Sequence, residues 1–185
     1  SKKLIENTKY LFDDNFILGY RMGGNEPELE DGIENAKILE MIVKNFKKPI
    51  VIDADAIFFL RNIKAEILNR NNIVITPHEV EFSRFSSYDL KNIKENRLEV
   101  VNKFFEKNLN YTLVLKGKNT IVKSDEEIYI NNTGNSGMAT AGSGDCLTGI
   151  ILSLLGQGLS AFNSAKLGVF IHGLAGDFAK EELGE

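Results

Sequence analysis

Three observations predict an α/β sandwich built on a largely parallel sheet. Short runs of Ile, Val and Leu alternate with longer segments whose apolar residues recur at helical spacing. The strand-like runs at 50–52, 72–76 and 111–115 each give way to polar or charged residues. Late in the chain, runs at 120–123 and 127–130 flank only Ser124, Asp125 and Glu126, which reads as a hairpin. Right-handed crossovers would bring the loops after 20, 53, 76 and 115 to one sheet edge.

Taken in order, Leu4, Ile5, Leu11 and Phe12 mark a short helix or packed segment within residues 1–12. A strand is expected at 16–20, followed by a loop at 21–27 in which Gly23 and Gly24 allow close approach or a plain turn. Ile33, Ala36, Ile38, Leu39, Ile42, Val43 and Phe46 give a helix over 31–46, stopped before Pro49. The strand 50–52 carries Asp53 and Asp55 at its carboxyl end, where open α/β sheets bind ligands. These acids suit a magnesium or water shell, or for Asp55 the cap of the next turn. A short helix at 65–70 precedes the strand 72–76, and His78 and Glu81 open the helix after Pro77. One long amphipathic helix is expected over 90–108, with Ile93, Leu98, Val101, Phe104 and Phe105 on its apolar face. The strand 111–115 runs into Lys116, Gly117, Lys118 and Asn119. A closing helix spans 160–183, with His172 read as structural.

Composition sets bounds. The 185 residues fit one domain, or most of a larger one, and 43% hydrophobic with 26% charged residues is ordinary for a soluble globular chain. A net charge of −4 with no basic stripe argues against nucleic acid as partner. Cys146 is the lone cysteine, so no internal disulfide forms and a reducing cytoplasm is the expected location. No apolar run has membrane-span length. The opening Ser1-Lys2-Lys3-Leu4 lacks an initiator Met and reads as an entry into the middle of a protein, or as a processed start.

The most informative stretch is 131–158, NNTGNSGMATAGSGDCLTGIILSLLGQG. Small and polar residues fill 131–144; Leu147, Ile150, Ile151, Leu154 and Leu155 then take helical spacing. A glycine loop therefore feeds a buried helix, and Gly156 and Gly158 stop it. The first amides of a helix lack helical partners and its dipole is positive there. Gly142 and Gly144 lack the Cβ atoms that would hold an anion away from those amides. Asp145 in that turn is either an ordinary first-turn acid or a base aimed at a hydroxyl that attacks phosphate.

Neither GxxxxGK[ST] nor a dinucleotide fingerprint is present, and no Cys/His cluster suggests zinc. What remains is PIVIDADAI (49–57), ITPHEVEF (75–82), LVLKGKNTIV (113–122) and TGNSGMATAGSGDCLTGIILSLLGQG (133–158). Together these resemble the ADP- or ATP-dependent NAD(P)H-hydrate dehydratases, a branch of the ribokinase-like fold, over most of the chain from residue 16 onward. The resemblance implies a three-layer α/β/α sandwich and the restoration of NADH or NADPH from its hydrated form. It implies that Asp145 contacts the hydrated ring at the place of a catalytic base. His78 and Gly23 are also implied to contact the hydrated cofactor. Lys116, Gly117, Lys118, Asn119 and Thr120, with Gly142, Ser143 and Gly144, are implied to bind the adenine nucleotide. Glu81 falls where related kinases hold magnesium and phosphate, and Asp53 joins it as a magnesium candidate.

The chain departs from that family in places. The loop GPGLG reads GYRMG at 19–23, Ser136 stands for a usual Pro, and Ala141 for a usual Gly. The family domain has an earlier αβ portion and continues past Glu185, so residues 1–185 are expected to be a single, partial dehydratase domain. ADP or ATP with Mg2+, a cytoplasmic homo-oligomer, no membrane or nucleic-acid partner, and an epimerase domain fused ahead of Ser1 are the further expectations. Two other classes use the same residues: a ribokinase-like kinase that leaves phosphate on a small alcohol or vitamin precursor, and a non-catalytic nucleotide-binding domain.

Overall fold

The computed structural model describes residues 18–20 and 29–184. The expected segment at 1–12 and the loop with Gly23 lie outside the described residues. The elements are β1 (Leu18–Tyr20), α1 (Leu29–Asn45), β2 (Ile50–Ile52), α2 (Asp55–Phe59), a 3-10 turn (Leu60–Asn62), α3 (Ala65–Leu68) and β3 (Ile73–Ile75). They continue with α4 (Glu79–Ser86), α5 (Leu90–Glu95), α6 (Arg97–Phe105), β4 (Thr112–Leu115), β5 (Ile121–Lys123) and β6 (Ile128–Ile130). A second 3-10 turn (Ser136–Met138), α7 (Ser143–Gly156) and α8 (Ala161–Leu183) complete the chain.

Strand order in the sheet follows the sequence from β1 to β6. The pairs from β1 to β4 are parallel, and β4–β5 and β5–β6 are antiparallel, which is the expected hairpin. Successive strand side chains point to opposite faces, and that alternation sorts the core. Ile50, Ile52, Ile73, Ile75, Leu113, Leu115 and Ile121 pack on the side of α1 to α6. Val51, Val74, Val114 and Val122 pack on Leu147, Ile151 and Leu155 of α7 and on Phe162, Ala165 and Val169 of α8. The result is three layers, α/β/α, as expected. Asp53, Thr76 and Lys116 each follow a valine of the second set by two residues. Period two therefore delivers all three to the α7 side, at the carboxyl ends of adjacent strands.

Two helices differ from expectation. The segment 90–108 is broken at Asn96, whose backbone (φ −132°, ψ 43°) ends α5 and begins α6. The change of axis turns Leu98 outward, 42% exposed, and brings Val100 into the core instead. The Asn96 side-chain amide donates to the Asn92 side chain at 2.9 Å across the break. The helix α2 was not expected at all: its apolar run is too short to show a period, yet Ala56, Ile57 and Phe59 are buried.

The glycine loop is fastened to α8 by close backbone approach. Asn131, 4% exposed, donates to the carbonyls of Thr133 and Val169 and accepts from Tyr129 and Thr133. Asn135 donates to Gly176 O and to Asp177, and Asp177 also accepts from the Gly134 amide at 2.8 Å. Those two donors hold the Asp177 carboxyl below its usual range. A Cβ on Gly173 would lie 2.8 Å from the backbone carbonyl carbon and oxygen of Thr133. On Gly176 its three nearest neighbours would all be atoms of the flexible Met138 side chain. Gly173→Ala should therefore lower the thermal midpoint, because overpacking costs about 1–3 kcal/mol and exceeds the gain in helix propensity of about 1 kcal/mol. Gly176→Ala should be neutral or stabilising by the same measurement. Equal behaviour of the two would show that the loop does not rest on α8 as described.

Candidate functional site

The parallel strands β2, β3 and β4 end side by side, and their next polar residues meet. Asp53 is 2% exposed, and both its oxygens are occupied. Oδ1 accepts from Thr76 Oγ1 at 2.8 Å and from Lys116 Nζ at 2.8 Å; Oδ2 accepts from Thr148 Oγ1 at 2.8 Å. One carboxylate thus joins three strand ends to α7. Burial alone would push its carboxyl up. The Lys116 charge and the hydrogen bonds from Lys116, Thr148 and Thr76 outweigh that and hold it below the ordinary carboxylate value. The backbone leaves Asp53 through Ala54 at φ 54°, ψ −137°, a region L-residues avoid at a cost of about 1–3 kcal/mol.

Lys116 is anchored from several directions. Its amide donates to Pro77 O at 2.8 Å, and Arg97 braces the backbone on both sides by donating to Leu115 O and Lys116 O. Arg97 also pairs with Glu79. Gly117, at φ 139°, leaves room for that guanidinium, which a Cβ would meet at 2.8 Å. Beyond it Asn119 is left-handed at φ 54°, and Thr120 Oγ1 donates to Gly117 O, closing the turn that holds Lys118. At its tip Lys116 Nζ lies 3.8 Å from Glu81 Oε2 and 3.6 Å from where a Cβ on Gly144 would sit. The lysine tip therefore lies against the first turn of α7, at a distance where a Cβ on Gly144 would make ordinary contact with it.

That turn begins at Gly142, φ 88°, the left-handed entry expected of a glycine here. The Ser143 amide is engaged by Thr140 O at 3.2 Å and the Cys146 amide by Gly142 O at 3.0 Å, so the Gly144 amide between them is the better anion donor. Ser143 Oγ lies 3.3 Å from His172 Nε2, which ties the turn to α8. Burial lowers the His172 pKa, more than the Ser143 contact raises it. Asp145 is solvent-exposed in the same turn.

His78 caps α4. Its Nδ1 accepts from the amides of Val80 and Glu81, while its own amide donates to Glu81 Oε2 at 2.7 Å, a reciprocal capping box. With Nδ1 an acceptor, the neutral ring carries its proton on Nε2. That atom is 3.4 Å from Glu81 Oε1, on a side chain 52% exposed. His78 can thus donate to a bound molecule without moving its backbone.

Sequence reasoning therefore located Asp53, His78, Glu81, Lys116 and Gly144, and the fold gathers them. It missed Thr76, Thr148 and Arg97, whose roles depend on cross-strand geometry. It left His172 as purely structural, although it touches Ser143. For Asp53 and Glu81 as magnesium candidates the donor sets differ. Asp53 has spent its oxygens on protein donors, and among the described residues no group of three or more His, Cys, Asp or Glu is placed to hold a metal. Glu81 Oε2 accepts from the His78 amide and lies 3.8 Å from Lys116 Nζ, which leaves Oε1, 3.4 Å from His78 Nε2, as its freer oxygen. No helix among the described residues is long and apolar enough to cross a membrane.

A family model described as NAD(P)H-hydrate dehydratase matches residues 24–185. The ADP-dependent (S)-NAD(P)H-hydrate dehydratase of Neisseria meningitidis is 42% identical over 149 residues, 78% of this chain and 50% of that protein. A ribokinase-like superfamily protein of Enterococcus faecalis superposes with a TM-score of 0.78 at 26% identity, covering 97% of this chain and 61% of the other. The Bacillus subtilis ADP/ATP-dependent NAD(P)H-hydrate dehydratase, co-crystallized with ATP/Mg2+, gives 0.61 at 26% identity over 72% of this chain and 47% of that one. The chain spans half the length of the Neisseria relative and about 30% of longer bifunctional NAD(P)H-hydrate repair enzymes that it also matches.

The buried carboxylate has a pH consequence. Its pKa is lower folded than unfolded, so its contribution to stability is complete above the unfolded value. That contribution fades as pH falls through the folded value. Urea unfolding should show the wild type losing stability below about pH 4, and the gap to Asp53→Asn narrowing over the same interval. A gap independent of pH there would mean that Asp53 is not held as the anion.

Proposed function

Because the chain belongs to the NAD(P)H-hydrate dehydratase family, we propose that it acts in nicotinamide-nucleotide repair, using ADP or ATP to dehydrate hydrated NADH or NADPH. The observation that supports this best is the meeting of Lys116, held by Asp53, with Gly144 at the start of α7. A cation and a helix N-terminal turn meet there, a pairing that suits a nucleotide phosphate. The turn from Lys116 through Gly117, Lys118, Asn119 to Thr120, with Gly142, Ser143 and Gly144, forms the proposed nucleotide site. Asp145, His78 and Gly23 would contact the hydrated ring.

The chemistry follows from the leaving group. The hydrated cofactor carries a hydroxyl on a reduced nicotinamide ring, and hydroxide departs poorly at neutral pH. Transfer of the terminal phosphoryl group of the nucleotide to that oxygen forms a P–O bond, and Asp145 takes the hydroxyl proton. The nucleotide leaves one phosphate shorter. The ring C–O bond then breaks, phosphate departs with the electron pair, and a proton is lost from the neighbouring ring carbon as the double bond re-forms. Lys116 and the Gly144 amide stabilise charge on the phosphoryl oxygens. His78 Nε2–H orients the ring by hydrogen bonding. Glu81 would hold Mg2+ together with the phosphates and water, and the ion would neutralise phosphate charge when bound. The cytoplasm, an oligomer and a fused epimerase domain remain part of the same reading.

Hydrated NADH incubated with ADP or ATP and the protein should regain the reduced-nicotinamide absorbance band. A kinase that keeps phosphate on its product would leave the band absent. Asp145→Asn should lower kcat about 10²–10⁴-fold while calorimetry shows ADP affinity nearly unchanged. Normal turnover in that variant removes Asp145 from the mechanism.

A further inference from the structure

We propose that Asp53 is a positioning residue for the nucleotide, fixing Lys116 and the first turn of α7 relative to one another before the nucleotide arrives. The inference rests on the reading of Lys116 as a nucleotide-phosphate ligand. Nothing reaches Asp53 directly, since it is 2% exposed and its two oxygens hold Thr76, Lys116 and Thr148. Its effect on a bound anion must pass through those partners.

Lysine is a flexible four-carbon stem ending in a point charge, and its tip goes where its partners hold it. Here one Nζ donor is spent on Asp53 at 2.8 Å. The ammonium lies 3.8 Å from Glu81 Oε2, and Gly144 is close on another side. Thr148 stands four residues after Gly144, on the same face of α7. Its bond to Asp53 Oδ2 at 2.8 Å sets the distance of that face from the strand ends. Thr76, fully buried at the end of β3, pins the carboxylate from the third side. The left-handed backbone of Ala54 lies immediately after Asp53. Lysine and helix turn, which come from distant parts of the sequence, thus share one rigid reference point. A ligand that needs both then does not have to order either.

The test is calorimetric titration of the full chain with ADP for wild type, Asp53→Asn, Thr148→Val, Lys116→Met and the Asp53→Asn/Lys116→Met double variant. Asp53→Asn should weaken ADP about 10–100-fold, by analogy with the loss of a group that orients a metal-ligating side chain. It should raise the nucleotide KM with little change in the KM for hydrated NADH. In the Lys116→Met background Asp53→Asn should have almost no further effect on ADP, because the two act as one unit. Thr148→Val, which keeps both charges, should give a smaller loss in the same direction, and it serves if Asp53→Asn folds poorly. Additive effects of Asp53→Asn and Lys116→Met, or wild-type affinity in both Asp53→Asn and Thr148→Val, would overturn the proposal. Urea midpoints of the same set without nucleotide supply a second readout. Asp53→Asn should restore part of the midpoint lost in Lys116→Met, and simple additivity there would refute the tie. Absence of ADP binding by wild type would instead refute the nucleotide reading, with the urea cycle still deciding whether Asp53 and Lys116 form a unit.

Discussion

A single buried carboxylate sets the geometry on which the site depends. Asp53 gathers the ends of β2, β3 and β4 and the first turns of α7 around one pair of oxygens. A buried charge is tolerable only when paired and hydrogen-bonded, and each partner here satisfies that condition while being placed by it. Removing the lysine would strand an anion; removing the anion would release the lysine. Stability and the proposed nucleotide site therefore meet at the same atoms.

The fold makes this arrangement from elementary parts. The alternation Ile-Val-Ile in β2 and β3 assigns isoleucines to one helical layer and valines to the other. Extending the same alternation past the strand ends puts Asp53, Thr76 and Lys116 on the valine side. The helix α7 covers that side with Leu147, Ile151 and Leu155, and its N-terminal turn overhangs the strand ends. Glycine matters where backbones must approach: Gly142 for the left-handed entry to α7, Gly173 for the seat of the loop on α8. On the opposite side Phe82 and Phe104 pack edge to face, 5.2 Å apart, and fix α4, whose first residues present Glu81 after the His78 cap.

Much of this was legible in the residues, for physical reasons. The strands are short and mostly apolar, with Pro49 before β2, Pro77 after β3 and polar groups beyond the others, so their positions follow from composition. The glycine loop and its helix declare themselves by the abrupt change at Asp145. Illegible features depend on three-dimensional coincidence. Nothing in the spacing of Thr148 shows that it meets Asp53 from 95 residues away. The break at Asn96 leaves hydrophobic spacing almost intact while rotating Leu98 into solvent. His78 was recognised as a polar group at a strand end, but its role as a helix cap, which fixes the tautomer, needed coordinates. Asp53 was expected beside magnesium; its hydrogen bonds instead favour an indirect role through Lys116.

The proposed function requires a nucleotide phosphate between Lys116 and the first turn of α7. A crystal structure of the protein with ADP tests it most directly. A phosphate oxygen is expected within hydrogen-bonding distance of both Lys116 Nζ and the Gly144 amide, with the Lys116–Asp53 contact retained. A phosphate bound elsewhere, or a Lys116 that abandons Asp53 to reach it, would show that Asp53 does not hold the lysine for the nucleotide.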